Sequence, residues 1–181
     1  MQAKQVADPM PHVSLLENFQ VVPDRRQLLE AMNQPQWNPR ATVLLERQPD
    51  PAPSAAGSAQ PPGSARVVEE GLDRLVVEAE TSRPAILLIT DSYSKFWRAR
   101  GVIDGSQRTY DILPANMTLR AVPLAAGRHR IEMTYRLKSF EIGRWISLAA
   151  ALLAAGLWMR CLGVPGLRRA STETERDHGQ S

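Results

Sequence analysis

The stretch PAILLITDSYSKFWRARGVIDG, residues 84–105, joins the most apolar strand candidate in the chain to its densest cluster of aromatic and charged residues. Residues 85–90 form a short uninterrupted apolar run rich in β-branched side chains, opened by Pro84 and closed by Asp91-Ser92. That pattern predicts a central strand covered on both faces. Tyr93, Phe96 and Trp97 follow, and then an alternating segment that ends in Asp104-Gly105, the dipeptide that most favours a tight hairpin turn. The stretch therefore reads as core strand, aromatic corner, second strand and hairpin.

Working outward, residues 107–113 read as the return of that hairpin and residues 118–124 as a further strand, closed by a turn at Ala125-Ala126-Gly127. The cleanest alternation comes next, with Ile131, Met133, Tyr135 and Leu137 on one face and Arg130, Glu132, Thr134 and Arg136 on the other, the mark of a half-buried antiparallel strand. Upstream, residues 66–70 and 74–80 read as two strands hinged at Gly71, with Leu75, Val77 and Ala79 sharing a face. Residues 41–46 and 19–22 are brief strand candidates. Between them lies a short helix over 25–32, with Asp24 as N-cap, Gln27 completing a capping box, and Leu28, Leu29 and Met32 as its apolar face. Residues 48–65 turn to Pro, Ala, Gly and Ser, a flexible surface loop by composition. Many short strands with turn signals between them predict a mainly β protein, an antiparallel, jelly-roll-like β-sandwich of about eight strands.

The C-terminal segment changes character. Residues 145–159, WISLAAALLAAGLWM, carry no charge and no polar face, so they do not form a surface amphipathic helix. This part spans about 22 Å at 1.5 Å per residue, against a hydrocarbon core of roughly 30 Å. Arg144 and Arg160 can snorkel, residues 161–167 add apolar length, and Trp145 and Trp158 fall where interfacial aromatics belong. The reading is a transmembrane helix over 141–167, with a buried core helix as the alternative. Ala150 with Ala154, and Ala151 with Ala155, would let a neighbouring transmembrane helix approach closely. Arg136, Lys138 and Arg144 precede the helix while Arg160, Arg168 and Arg169 follow it, so the charge count does not set its orientation.

With 181 residues and a formal charge of +3, the chain holds one ordinary domain plus appendages, and its scattered arginines give no nucleic-acid-binding pattern. The single Cys161 makes neither an internal disulfide nor a metal pair, and no zinc spacing, phosphate loop or cofactor motif is present. Residues 1–20 lack the apolar run of a signal peptide.

Asp91 and Asp104 are the carboxylates of the opening stretch, and a glycosidase would want two flanking a sugar. Both also occupy routine turn positions. His129 follows a turn with no nucleophile motif beside it, which suits a hydrogen-bonding turn residue better than a base. Tyr93, Phe96 and Trp97 offer ring faces on which a sugar would stack, with Arg98 and Arg100 as bidentate donors to a lipid-linked phosphate. The competing reading makes Trp97 a packing anchor of the core.

Arg120-Ala121-Val122, Ala126-Gly127, His129 and Tyr135 follow the pattern R-A-V-x-x-P-A-G-x-H-x-V-x-F-x-Y-x-P. Asp91-Ser92-Tyr93, Trp97, Ala99 and Asp104-Gly105 resemble D-x-Y-x-P-G-W-x-A-x-V-D-G, with Lys95-Phe96 where that pattern has Pro-Gly and about two extra residues between Ala99 and Asp104. In these motifs residues 19–160 resemble the C-terminal end of YfhO-type bacterial membrane proteins, multi-spanning proteins similar to lipid-linked-sugar glycosyltransferases. The resemblance implies a tail at 1–18, an extracytoplasmic β domain at 19–140, one last transmembrane helix at 141–167 and a polar tail at 168–181. It implies a non-catalytic module in the bacterial cell membrane, since the family's catalytic bundle lies N-terminal to this region. Its partners would be the bilayer, the helices of a multi-spanning protein, and a glycan or lipid-linked sugar; no cofactor is implied. The candidate ligand-binding residues, Tyr93, Trp97, Arg98, Arg100, Asp91 and Asp104, come from the aromatic and charged cluster itself, where the chain departs from the family pattern. The rival readings are a free-standing anchored carbohydrate-binding or adhesion module and a glycoside hydrolase.

Overall fold

A computed structural model describes residues 9–53, 61–102, 106–136 and 138–161. The chain divides into two units, a β unit ending at Arg136 and a helical unit after it. In the first, β1 (Val13–Leu16), β2 (Asn18–Val21), β3 (Thr42–Leu45), β6 (Ala85–Ser92), β9 (Leu113–Ala115) and β10 (Leu119–Leu124) form one sheet in the order β1-β6-β10-β9-β3-β2. A second sheet has the order β4-β5-β11-β7-β8, from β4 (Gly63–Glu70), β5 (Arg74–Thr81), β7 (Trp97–Gly101), β8 (Thr109–Tyr110) and β11 (Gly127–Tyr135). The expected strand over 85–90 is β6, buried throughout that run except at Thr90 and flanked by β1 and β10. Its alternation has a use on each face. Leu87 and Ile89 meet Leu75, Val77, Ile131 and Met133 of the second sheet, while Ile86 and Leu88 join Val43, Leu45, Leu113 and Ala121. Two apolar cores share one strand, which is why residues 85–89 carry no polar side chain.

The second of those cores arises from a curl. β1 and β2 are separated only by Glu17, yet β1 pairs with β6 at one end of the sheet order and β2 pairs with β3 at the other. One nearly continuous segment thus bridges both edges, and Leu16 and Phe19 pack into the interior so enclosed. Glu17, at the joint, is buried and takes the Arg83 guanidinium on both carboxylate oxygens. The curl hides edges that would otherwise be open to other chains.

Several boundaries and one strand direction differ from the sequence reading. The pair β2–β3 is parallel, where antiparallel pairing was expected throughout. Parallel neighbours need a crossover, and the short helix α1 (Arg25–Met32) supplies it. Its N-cap is as read: the Asp24 carboxylate accepts from the Gln27 backbone N–H at 2.9 Å, and Leu28 is buried against Val22 and Leu44. β1 falls inside the stretch taken as a tail, because Val13 and Leu15 find apolar partners across the sandwich. β4 starts at Gly63 rather than 66, taking in the last residues of the supposed loop. The strand expected at 107–113 splits into β8 and β9, which belong to different sheets. At the turn before β11, Gly127 has φ +129, and a Cβ there would lie 1.9 Å from the Ser106 hydroxyl oxygen. The Asp104-Gly105 turn, Leu137, residues 1–8 and 54–60, and the tail at 168–181 lie outside the described residues.

The second unit contains α2 (Lys138–Cys161), a helix of 24 residues. Among the described residues no helix is long and apolar enough to cross a membrane. Apolar side chains nonetheless stand exposed between Trp145 and Met159, Trp145, Ile146, Leu152, Leu153, Leu157 and Trp158 each being at least 64% accessible. The residues 162–167 read as extending it lie outside the described residues.

Candidate functional site: the aromatic corner

The corner forms where β6 runs out. The Tyr93 N–H donates to the Thr118 carbonyl oxygen at 2.6 Å, tying the end of β6 to the start of β10. A turn at Ser94 then reverses the chain, its carbonyl accepting from the Trp97 N–H at 3.2 Å. β7 begins at Trp97 in the other sheet, so this single turn carries the chain across the end of the sandwich.

Under the corner lies a charge that the sequence reading did not single out. Arg120 is 3% accessible, on the same face of β10 as Val122 and Leu124. Its guanidinium stacks over Trp97, 4.2 Å from the ring centroid, and pairs with Asp91. The second Asp91 oxygen lies 2.9 Å from His12 Nε2, so strand β6, the residue ahead of β1, and β10 are joined by one polar chain. Burial pushes the Arg120 guanidinium below its ordinary value, and Asp91 opposes that shift. Tyr135 meets Trp97 edge-on at 5.5 Å, and Phe96 meets Tyr135 at 6.0 Å. Trp97 therefore does serve as a packing anchor, half-buried between the Arg120 stack and the Tyr135 edge.

Beside this anchor a cleft of about 270 Å3 opens, lined by Tyr93, Trp97, Arg98, Tyr110, Asp111 and Arg47 among others. The structure brings together three of the residues singled out from sequence: Tyr93, Trp97 and Arg98. Arg100 does not line this cleft; it lies two residues beyond Arg98 on the outer face of the second sheet, its Nε 2.7 Å from Glu132. Asp91 faces inward to Arg120, and Asp104 lies outside the described residues. Arg120, His12, Tyr110, Asp111 and Arg47 were missed. For Arg120 a signal existed: an arginine at the apolar parity of a strand must be buried with a partner.

Chemically, the cleft pairs flat ring surface with guanidinium donors and one acceptor carboxylate, Asp111, which lies 3.7 Å from Arg47. That suits holding a polar ring such as a sugar. Asp91, one of the two carboxylates read as a hydrolase pair, is held by Arg120 and His12. Among the described residues no cluster of His, Cys, Asp or Glu could hold a metal ion.

His129 is buried on the far side of Tyr110, with Nε2 2.9 Å from the Ala125 carbonyl and Nδ1 2.9 Å from the Tyr110 hydroxyl. A carbonyl only accepts, so Nε2 carries the proton and Nδ1 accepts from Tyr110. Burial lowers the His129 pKa, the Ala125 hydrogen bond opposing it, and burial pushes Tyr110 up to about 12. On the outer face, hydrogen bonds from Arg100 and Arg74 lower the Glu132 pKa. Both His129 and Glu132 bind protons less well folded than unfolded, so both terms are intact above the unfolded values of 6.5 and 4.5 and are lost as pH falls below them. The urea midpoint will accordingly fall in two stages on acidification, and His129→Gln will remove the stage that begins near 6.5. A midpoint constant between pH 7 and pH 5 would contradict this.

No protein-family model matches the chain, and neither does any curated protein or solved structure.

Proposed function

We propose that this protein is a membrane-tethered β module without catalytic chemistry of its own, of the YfhO type. It docks on the transmembrane helices of a multi-spanning membrane glycosyltransferase and positions a glycan acceptor at the extracytoplasmic face of the bacterial cell membrane. The observation that carries the reading is α2, which exposes Trp145, Leu152, Leu153 and Trp158. Apolar surface of that extent on a helix is stable only inside lipid or against other apolar helices. The charge-free residues 145–159 are short for a bilayer, and in this reading Arg144 and Arg160 snorkel while residues 161–167 complete the apolar length. Acceptor binding is assigned to the cleft of Tyr93, Trp97 and Arg98, which has the ring surface and donors a sugar requires. The jelly-roll-like description of the β unit belongs to the same reading.

Full-length protein expressed in a bacterial membrane should resist alkaline extraction, and crosslinking should capture it against a multi-spanning partner. Tyr93→Ala should weaken glycan binding about tenfold or more, the cost of one stacked ring of roughly 1–3 kcal/mol. Tyr93 is the better probe than Trp97, whose ring also packs on Tyr135 and Arg120. Sugar binding with no membrane partner would instead favour the free-standing carbohydrate-binding or adhesion module. A chain that stays monodisperse in water without lipid or detergent would rule the proposal out.

A further inference from the structure

On the outer face of the second sheet, carboxylates and arginines are matched in rows across the strands. Glu80 pairs with Arg128, Glu78 with Arg66 and Arg130, and Glu132 with Arg74 and Arg100. The last row has no carboxylate of its own: Thr134 lies between Arg74, whose guanidinium reaches Glu69 and Glu132, and Arg98, and Arg136 follows directly after β11 ends. Arg98, Arg100, Thr134 and Arg136 line a cleft of about 260 Å3. Arg98 uses Nη1 on the carbonyls of Lys95 and Trp97 at 2.7 and 2.9 Å, which fixes the side chain and leaves Nε and Nη2 without a partner among the described residues. The Arg136 guanidinium has no partner among them either; its backbone N–H donates to the Phe96 carbonyl at 3.1 Å, holding the residue in place.

We infer that the Arg98–Arg136 cleft is a phosphate clamp for the headgroups of anionic membrane lipids. Two guanidiniums with free forks and an adjacent hydroxyl match the acceptor oxygens of a phosphodiester, and arginine binds such oxygens in bidentate fashion. The choice of lipid over a soluble phosphate rests on where the row holding Arg98 and Arg136, the two arginines without a carboxylate, sits. It is the row from which the chain continues, two residues beyond Arg136, into the exposed apolar helix α2. The inference thus rests on the membrane-tether reading, and it adds the lipid class that the β unit contacts. Basic side chains next to an anionic leaflet are attracted to it within a Debye length.

The test uses the full chain in lipid nanodiscs of phosphatidylcholine alone and of phosphatidylcholine mixed with phosphatidylglycerol, with amide hydrogen exchange read across β7 and β11. Exchange at Arg98, Ala99, Thr134 and Tyr135 should slow about fivefold per engaged arginine in the anionic discs only. Arg136→Gln should halve that effect on a logarithmic scale, and Arg98→Gln with Arg136→Gln should abolish it while the chain stays in the discs. Added salt should erode it in the same way. A chain that enters both kinds of disc and exchanges identically overturns the clamp and leaves the tether standing; a chain that enters neither overturns both. Slowing by inorganic phosphate in neutral discs, with none from phosphatidylglycerol, overturns the lipid as the occupant.

Discussion

Asp91→Ala will lower the unfolding free energy of the β unit by about 3–5 kcal/mol, the usual cost of stranding one partner of a buried ion pair. Arg120 keeps only 4% of its side-chain surface accessible, and its Nε and Nη1 find no acceptor. Asp91 is the counter-charge that makes a guanidinium tolerable at that depth. The loss should appear as a shift of the urea midpoint with little change in slope, since the amount of surface exposed on unfolding is unaltered. Arg120→Met should cost less, because an apolar chain of similar length fills the space without a charge. The double variant Asp91→Ala with Arg120→Met should then be more stable than Asp91→Ala alone, a non-additivity that measures the pair. Because Arg120 also backs the Trp97 ring at 4.2 Å, Asp91→Ala should loosen the aromatic corner and weaken any ligand held in the adjacent cleft. An Asp91→Ala protein within about 0.5 kcal/mol of the parent would show that solvent, and not the carboxylate, balances Arg120.

On the proposed membrane tether, Leu152→Arg combined with Leu153→Arg should release the chain from membranes. Each replacement puts a charge near the middle of α2, where insertion scales charge about 3 kcal/mol for arginine and favour leucine by about half a kcal/mol. Two replacements therefore move the balance by about 7 kcal/mol, several powers of ten in partition. Both positions are exposed, at 66% and 70%, and belong to the helical unit, outside the β unit's own chain. Alkaline extraction of membranes followed by circular dichroism of the released fraction provides the measurement. The variant should leave the pellet and keep its β spectrum. Retention in the pellet with a folded β unit would mean that α2 is not what holds the chain to the membrane.

Local chemistry made much of the β unit legible in advance. The Asp24 cap acts on its own neighbour three residues away, so α1 could be read without any tertiary knowledge. The faces of β5 were likewise readable, since side chains alternate with period two, and Leu75, Val77 and Ala79 do share one core. The candidate site was legible only in part. Tyr93, Trp97 and Arg98 reach one cleft because they follow one another around a single turn. Arg100 shares the outer face of β7 with Arg98 but stands two residues farther from the turn, where Glu132 from β11 takes it. Asp91 is turned inward by Arg120, 29 residues along the chain.

By itself the sequence determined that the chain would be mainly β, with one capped helix near its start and a helix near its end built on the uncharged stretch 145–159, because alternation, capping and uninterrupted apolarity are properties of neighbours. The tertiary structure alone decided that β1 and β2 bridge both edges of one sheet, that β2 and β3 run parallel across α1, and that Arg120 lies beneath Trp97 with Asp91 as its counter-charge. Those features depend on which distant strands come to lie side by side, and pairing between distant strands is set by how the whole set of apolar faces is buried at once, a quantity that no local window contains.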